Sequence, residues 1–216
     1  MVEVVNVTDM KRRDEILAAA AHVFAQHGFR GSTTRRIADT AGVNEITLFR
    51  QFGSKEELIR QAMQYCSQFV GFTPLPDVAV DPDKELTAWS ESYIRYLRLQ
   101  SSMIRKTMSE IEERPEMSEM ASTVPRKASA DLCRYLTGLK RQGFIAEKFD
   151  AKTAAAMLMG SIFADAVGRD MMSDVYPPEE KAAQMYTRLL LKGIGVEIGG
   201  RRTTHKQTKR TKQLSA

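Results

Sequence analysis

The sequence predicts an all-α protein, and three observations carry that prediction. Apolar residues recur at three- and four-residue steps through most of the chain. No stretch sustains the period-two alternation of β-branched residues that a half-buried strand requires. Cap and stop residues fall where helices with that periodicity would begin and end. Read in order, the elements number nine, four before a proline-rich linker and five after it.

The first helix spans about Asp9 to Gln26, with Ile16, Ala20, Val23 and Phe24 on one face and His27-Gly28 as its stop. Phe29 follows as an apolar anchor. The next stretch, TTRRIADTAGVNEITLFRQF from Thr33 to Phe52, holds a helix-breaking glycine inside an otherwise helical pattern. Ser32 or Thr33 can cap a short helix with Ile37, Ala38 and Ala41 on one face, which Gly42 ends in a tight turn. Val43 then points inward, and Asn44 caps a second short helix whose Leu48 and Phe52 pack back at a four-residue spacing. Gly42 is therefore the turn of a helix-turn-helix over about residues 33–52. Glu45, Ile46, Thr47, Phe49, Arg50 and Gln51 are left facing outward or sideways, which is the set a major groove would read.

Ser54 and Glu57 form a capping box that opens the fourth helix, which runs to about Phe69. Pro74, Pro76 and Pro82 then forbid a continuous helix, so a linker is placed at 71–83, between a head at 9–70 and a second domain at 84–198. In that domain Leu86, Trp89, Tyr93 and Tyr96 share a helix face, and Ile104, Met108 and Ile111 share another before Pro115. Val124 to Gln142 is the next helix, with Leu132, Tyr135, Leu136 and Leu139 inward. Ala151 to about Met171 carries Ala154, Met157, Leu158, Ser161, Ile162 and Asp165 on one stripe. Pro178-Glu179-Glu180 opens the last helix and Gly193 closes it.

The formal net charge of +5 is set by location. Arg201, Arg202, Lys206, Lys209, Arg210 and Lys212 all lie in 199–216, and without them the 32 basic residues fall to 26 against 27 acidic ones. That stretch reads as a basic, disordered tail that adds non-specific affinity for DNA. The remainder is near neutral, so a nucleic-acid function must rest on the local motif. No apolar run approaches the roughly 20 residues of a membrane span, and the first ten residues carry Glu3 and Asp9 where a leader would be basic then apolar. A cytoplasmic, nucleoid-associated protein is expected. Cys66 and Cys133 are far apart, and His22, His27 and His205 fit no ligand spacing, so neither a disulfide nor a metal is expected. GIGVEIGG, near residue 193, places Ile198 where a dinucleotide loop needs its last glycine, and it follows a helix instead of a strand. Nucleophile-elbow, paired-histidine and Walker patterns are missing, so neither an enzyme nor a cofactor is expected.

The run ILAAAAHVFAQHGFRGSTTRRIADTAGVNEITLFRQFGSKEELI, within about Lys11 to Met63, resembles the TetR family of bacterial transcriptional regulators. The resemblance rests on the aromatic after Gly28, Thr-x-x-x-Ile-Ala, Ala-Gly-Val, Thr-Leu-aromatic and Phe-x-Ser-Lys-Glu-x-Leu. It implies an all-helical homodimer with an N-terminal DNA-binding head and a C-terminal domain that binds a small ligand and supplies the dimer interface. By position, Thr33, Thr34 and Arg35 would meet phosphate or a groove edge, Thr47 and Phe49 would flank the backbone and a base, and Gln51 and Lys55 would complete the contact. Glu45 stands where the family has other polar residues; a carboxylate there accepts from cytosine N4 but repels phosphate. Ile46 replaces a common Gly or Pro and would touch a thymine methyl, and Arg36 replaces an acid and offers a phosphate contact.

The function so implied is a sequence-specific regulator on a palindromic operator, a repressor released by a mainly apolar small molecule. The alternative is an architectural or partner-recruiting DNA-binding protein without a responsive pocket. Trp89, Tyr93, Tyr96, Met103, Met108, Tyr135, Met157 and Phe163 are the adaptable or aromatic candidates for the pocket, with Ser161 and Asp165 as polar groups. Met157, Gly160, Ala164, Met185, Leu189 and Leu190 offer the dimer interface an apolar face with small residues. A ligand that displaces helix four would move Lys55 and the reading head.

Overall fold

The computed structural model describes residues 7–68, 71–145 and 149–198. The expected basic tail at 199–216 lies outside them. Among the described residues the protein is all-α, with no strand. Its helices are α1 (Val7–Gly31), α2 (Thr34–Ala41), α3 (Glu45–Phe52), α4 (Lys55–Gln68), α5 (Pro82–Leu99), α6 (Ser101–Glu110), α7 (Met117–Arg141), α8 (Ala151–Gly168) and α9 (Ala182–Gly193). None of the described helices is long and apolar enough to cross a membrane.

Two apolar cores organise these helices. The first joins Ile16, Val23 and Phe24 of α1, Ile37 of α2, Leu48 and Phe52 of α3, and Leu58 and Ile59 of α4. Met117, at the start of α7, is also buried in it, with Met103 and Ile111 packed against it from α6 and its C-terminal turn. The second joins α5, α7, α8 and α9 through Trp89, Leu132, Leu136, Leu139, Ile162 and Leu191. α1 packs against both α4 and α6, so the head rests directly on the body.

The chain between the cores is held as well. Leu75 and Ala79 are buried in the second core, Asp81 caps α5 by accepting from the Lys84 amide at 3.2 Å, and Pro82 begins the helix. The Glu85 carboxylate accepts from the Val80 and Asp81 amides at 2.8 and 2.9 Å and from the Tyr135 hydroxyl at 2.7 Å.

Three element ends differ from their local signals. α7 starts at Met117 rather than near Val124, continuing through Pro125, because burial of Met117 in the head core anchors the extra turns. α9 starts at Ala182, since Pro178 to Lys181 form a turn closed by the Lys181 amide on the Pro178 carbonyl at 2.9 Å, and Glu179 pairs with Arg98 at 2.6 Å. Ser54 accepts from the Glu57 amide at 3.1 Å, but the Glu57 carboxylate does not reach back to close the box. Hydrogen bonds from Arg60 and Gln61 hold that carboxylate and bring its pKa down to about 2.

Candidate nucleic-acid interface

The helix-turn-helix is built from local hydrogen bonds. Thr33 is the N-cap of α2 and accepts from the Arg36 amide at 3.2 Å, while Ser32 is fully buried and donates its hydroxyl to the Gly28 carbonyl at 2.6 Å. Gly42, at φ 64° and ψ 36°, turns the chain in the left-handed region, and the Val43 amide closes the turn on the Ala38 carbonyl at 3.0 Å. Asn44 caps α3 by accepting from the Ile46 amide at 2.9 Å. Leu48 and Phe52 then bury against Ile37 and Ala38, which fixes the inward face of an eight-residue helix.

The opposite face presents Ile46, Phe49 and Arg50 to solvent, with Ile46 74% and Phe49 50% exposed. Arg35 is exposed beside them on α2. Arg36 is exposed too, but its guanidinium donates to the Gly31 carbonyl at 2.6 Å and staples the start of α2. Thr47 is half-buried. Three residues expected to contact DNA are engaged or enclosed. Glu45 accepts a hydrogen bond from the Thr34 hydroxyl, so the two side chains tie α3 to α2. Gln51 is half-buried, with Oε1 enclosed and without a hydrogen-bond partner in the structure.

Lys55 is the third. Its Nζ lies 4.2 Å from the centroid of the Phe29 ring, and the Arg114 guanidinium lies 3.4 Å from the same ring. Burial lowers the Lys55 pKa, helped by the nearby Arg114 charge and offset in part by Glu56 and Glu110. Lys55 therefore packs on the head's own Phe29 ring, which Arg114 of the body also contacts, and is not projected toward solvent like a free phosphate ligand.

Phe29 is held at this point by the backbone as well. Gly28, at φ 68°, breaks the helical path of α1 and lets the Phe29 amide donate to Glu110 Oε1 of α6 at 2.7 Å. A Cβ on Gly28 would stand 2.1 Å from that oxygen and 2.2 Å from Lys106 Cε. Arg30 pairs with Glu113 at 3.2 Å at the exposed edge. Sequence reasoning marked Gly28 as a stop and Phe29 as an anchor. It missed Lys106, Glu110 and Arg114, whose spacing to α1 no local pattern encodes.

A cavity of about 160 Å³ lies beyond this junction, among α4, α5, α6, α7 and α8. Tyr93, Tyr96, Met103, Met108 and Phe163 line it, joined by Met63 and Cys66 of α4, Gln100, and Ile104 and Thr107 of α6. None of the described lining residues is charged. Burial raises the Tyr96 pKa to about 12 and raises that of Cys66.

The other candidate pocket residues lie elsewhere. Trp89 is behind the wall, stacked on Tyr93 with ring centroids 5.2 Å apart. Tyr135 is committed to Glu85. Met157 and Ser161 face outward, on the far side of α8. Asp165, fully buried, accepts from Arg169 through both oxygens at 2.6 Å, from Tyr186 at 3.0 Å and from Arg98 at 3.2 Å. Burial alone would raise its pKa; the three donors outweigh that and hold it below the usual range.

α8 is apolar on both sides. Ala154, Leu158 and Ile162 enter the core, while Met157, Gly160, Ser161 and Ala164 are exposed. Beside them α9 exposes Met185 and Leu189, and a groove of about 250 Å³ between the two helices is lined by Met157, Ser161, Leu189 and the half-buried Leu190, among others.

Residues 16–62 match the family model described as bacterial regulatory proteins, tetR family. The chain is 27% identical to the HTH-type transcriptional regulator YvkB of Bacillus subtilis over 184 residues, which cover 84% of this chain and 96% of that protein. It is 36% identical over 78 residues to the HTH-type transcriptional repressor KstR2 of Mycolicibacterium smegmatis, covering 35% of this chain and 38% of the relative. A crystal structure of a TetR-family transcriptional regulator from Mesorhizobium loti superimposes with a TM-score of 0.72 at 20% identity, covering 88% of this chain and all of the other. A left-handed glycine turn, a capped second helix and these likenesses agree: residues 16–62 form a DNA-binding head of the tetR family of bacterial regulatory proteins, and the chain, similar along most of its length to an HTH-type transcriptional regulator, is a DNA-binding regulator.

Proposed function

We propose that this regulator is a homodimeric repressor that grips a palindromic operator with two heads and releases it when an uncharged, mainly apolar small molecule fills the cavity. The observation that carries the reading is the double duty of α6. Met103, Ile104, Thr107 and Met108 form one wall of the cavity, and Glu110 at the end of the same helix accepts the Phe29 amide of the head. α4 contributes Met63 and Cys66 to the opposite wall and begins with Lys55 on the Phe29 ring. A ligand that fits better with α6 or α4 displaced therefore acts on the head either through its Glu110 attachment or directly, through one of the head's own helices.

The cavity supports an uncharged occupant because a carboxylate buried among these side chains would lack a partner. Methionines and aromatic rings adapt to apolar shapes. The exposed face of α8 and α9 supports the homodimer, since a single eight-residue reading helix buries little surface and two on a twofold axis read successive major grooves.

The test has two steps. Lipophilic compounds, neutral and anionic, are screened for those that raise the melting temperature, and each is then titrated into the complex with an operator selected from random duplexes. Neutral compounds should stabilise the protein and weaken operator binding by roughly 5- to 150-fold, corresponding to a coupling of about 1–3 kcal/mol. Stabilising ligands that leave DNA affinity unchanged would sink the release mechanism. A panel with no binder, together with many weak genomic sites, would favour the architectural alternative.

A further inference from the structure

The geometry points to a specific chemistry of base recognition: we infer that α3 selects thymine by its C5 methyl group, through Ile46 assisted by Phe49. The inference rests on the reading of α3 as the helix that enters the major groove. Its support is the fate of the polar side chains at the leading end of that helix. Asn44 spends its Oδ1 on the Ile46 amide. Glu45 accepts from the Thr34 hydroxyl, so its carboxylate is occupied and held against α2. Thr47 is half-buried, and Gln51 Oε1 is enclosed.

Beside Arg50, what remains is apolar. Ile46 and Phe49, three residues apart, are neighbours on one helix face, and they are 74% and 50% exposed although the head has a complete core beneath them. Arg35 and Arg50 flank this face with positive charge, which suits a polyanionic duplex. On the base edges of the major groove, hydrogen-bonding groups dominate, and the thymine methyl is the apolar feature that distinguishes one pair from another. An exposed β-branched side chain on a helix whose Glu45 carboxylate, Asn44 Oδ1 and Gln51 Oε1 are engaged or enclosed fits that methyl. Arg50 is the remaining long donor on the face and is free for phosphate or a purine edge.

The experiment uses the full chain and a site selected from a pool of random duplexes. Each thymine of the selected site is replaced in turn by deoxyuridine, which removes one methyl and keeps the base pair. Replacement at one position in each half-site should weaken binding about fourfold per methyl, the ratio that removing one buried methylene implies. Ile46→Ala should bind thymine and uracil forms of that position alike, at about the weakened affinity that the wild type shows for uracil; the side chain is exposed, so folding is not at stake. Wild-type binding that ignores uracil at every position overturns the inference alone, as does an Ile46→Ala protein that keeps full sensitivity to the methyl. A pool that yields no preferred site overturns the groove-reading role of α3 and the inference with it.

Discussion

Single side chains decide how the head is aimed. Gly28 combines a left-handed backbone with close approach to Glu110, so Gly28→Ala should strain the turn and dislodge the carboxylate that accepts the Phe29 amide. A loss of about 1–3 kcal/mol is expected from urea unfolding of the whole chain. Thr34 acts in the opposite sense, by restraining a charge. Thr34→Val should free Glu45 to face the phosphates and weaken operator binding by about fivefold, on the order of 1 kcal/mol. Adding Glu45→Gln should restore most of it in a fluorescence-anisotropy titration; without recovery, the loss belongs to a direct Thr34 contact. Periodicity placed Glu45 and Gln51 on the outward side and the family resemblance gave Lys55 a DNA contact, yet each is engaged or enclosed. The reason is physical: helical spacing reports the direction of a side chain, whereas its partner comes from another element, Thr34 for Glu45 and the Phe29 ring for Lys55.

At the scale of the element, caps were legible and tertiary anchors were not. Thr33 and Asn44 cap their helices through bonds two or three residues long, which a sequence states directly. The early start of α7 at Met117 and the late start of α9 at Ala182 depend on burial in the head core and on the Arg98–Glu179 pair, which no local pattern contains. Asp165 shows the same limit: a carboxylate on the α8 stripe suggested a pocket, but Arg98, Arg169 and Tyr186 use it to join α8 to α5 and α9. Asp165→Asn should cost about 3 kcal/mol, because two arginines lose their buried partner. The pH dependence follows from a folded pKa held below the unfolded value near 3.9. This contribution is complete above about pH 4 and disappears as pH falls through the lower folded pKa. Urea midpoints measured from pH 6 down to 3 should therefore fall more steeply for the wild type than for Asp165→Asn.

For the whole molecule, the two cores are not independent bodies. Met117 sits in the head core and α1 lies on α6, so head and body should unfold in one transition, with fluorescence and circular dichroism midpoints coinciding. Assembly is a separate matter, for which the outer face of α8 and α9 is the proposed interface. Leu189→Glu is the cleaner probe, since Leu189 is 74% exposed while Leu190 is half-buried in the groove. Sedimentation should show a folded monomer, and operator affinity should fall by about a hundredfold or more as the second head is lost. A variant that remains dimeric would place the interface elsewhere. The sequence offered Met157, Gly160 and Ala164 both to this face and, for Met157, to the pocket; the structure exposes all three on one side of α8.

Trp89 is the sole tryptophan of the chain, buried and stacked on a tyrosine that forms part of the cavity wall. Its emission is thus a built-in optical readout of cavity occupancy, obtained without a label and without DNA. If occupancy and operator binding oppose each other, thermodynamic reciprocity requires operator to weaken the ligand by the same factor by which ligand weakens operator. Ligand titrations followed by Trp89 emission, with and without saturating operator, should then be displaced along the concentration axis by that factor, so the coupling can be measured from inside the protein as well as from the DNA.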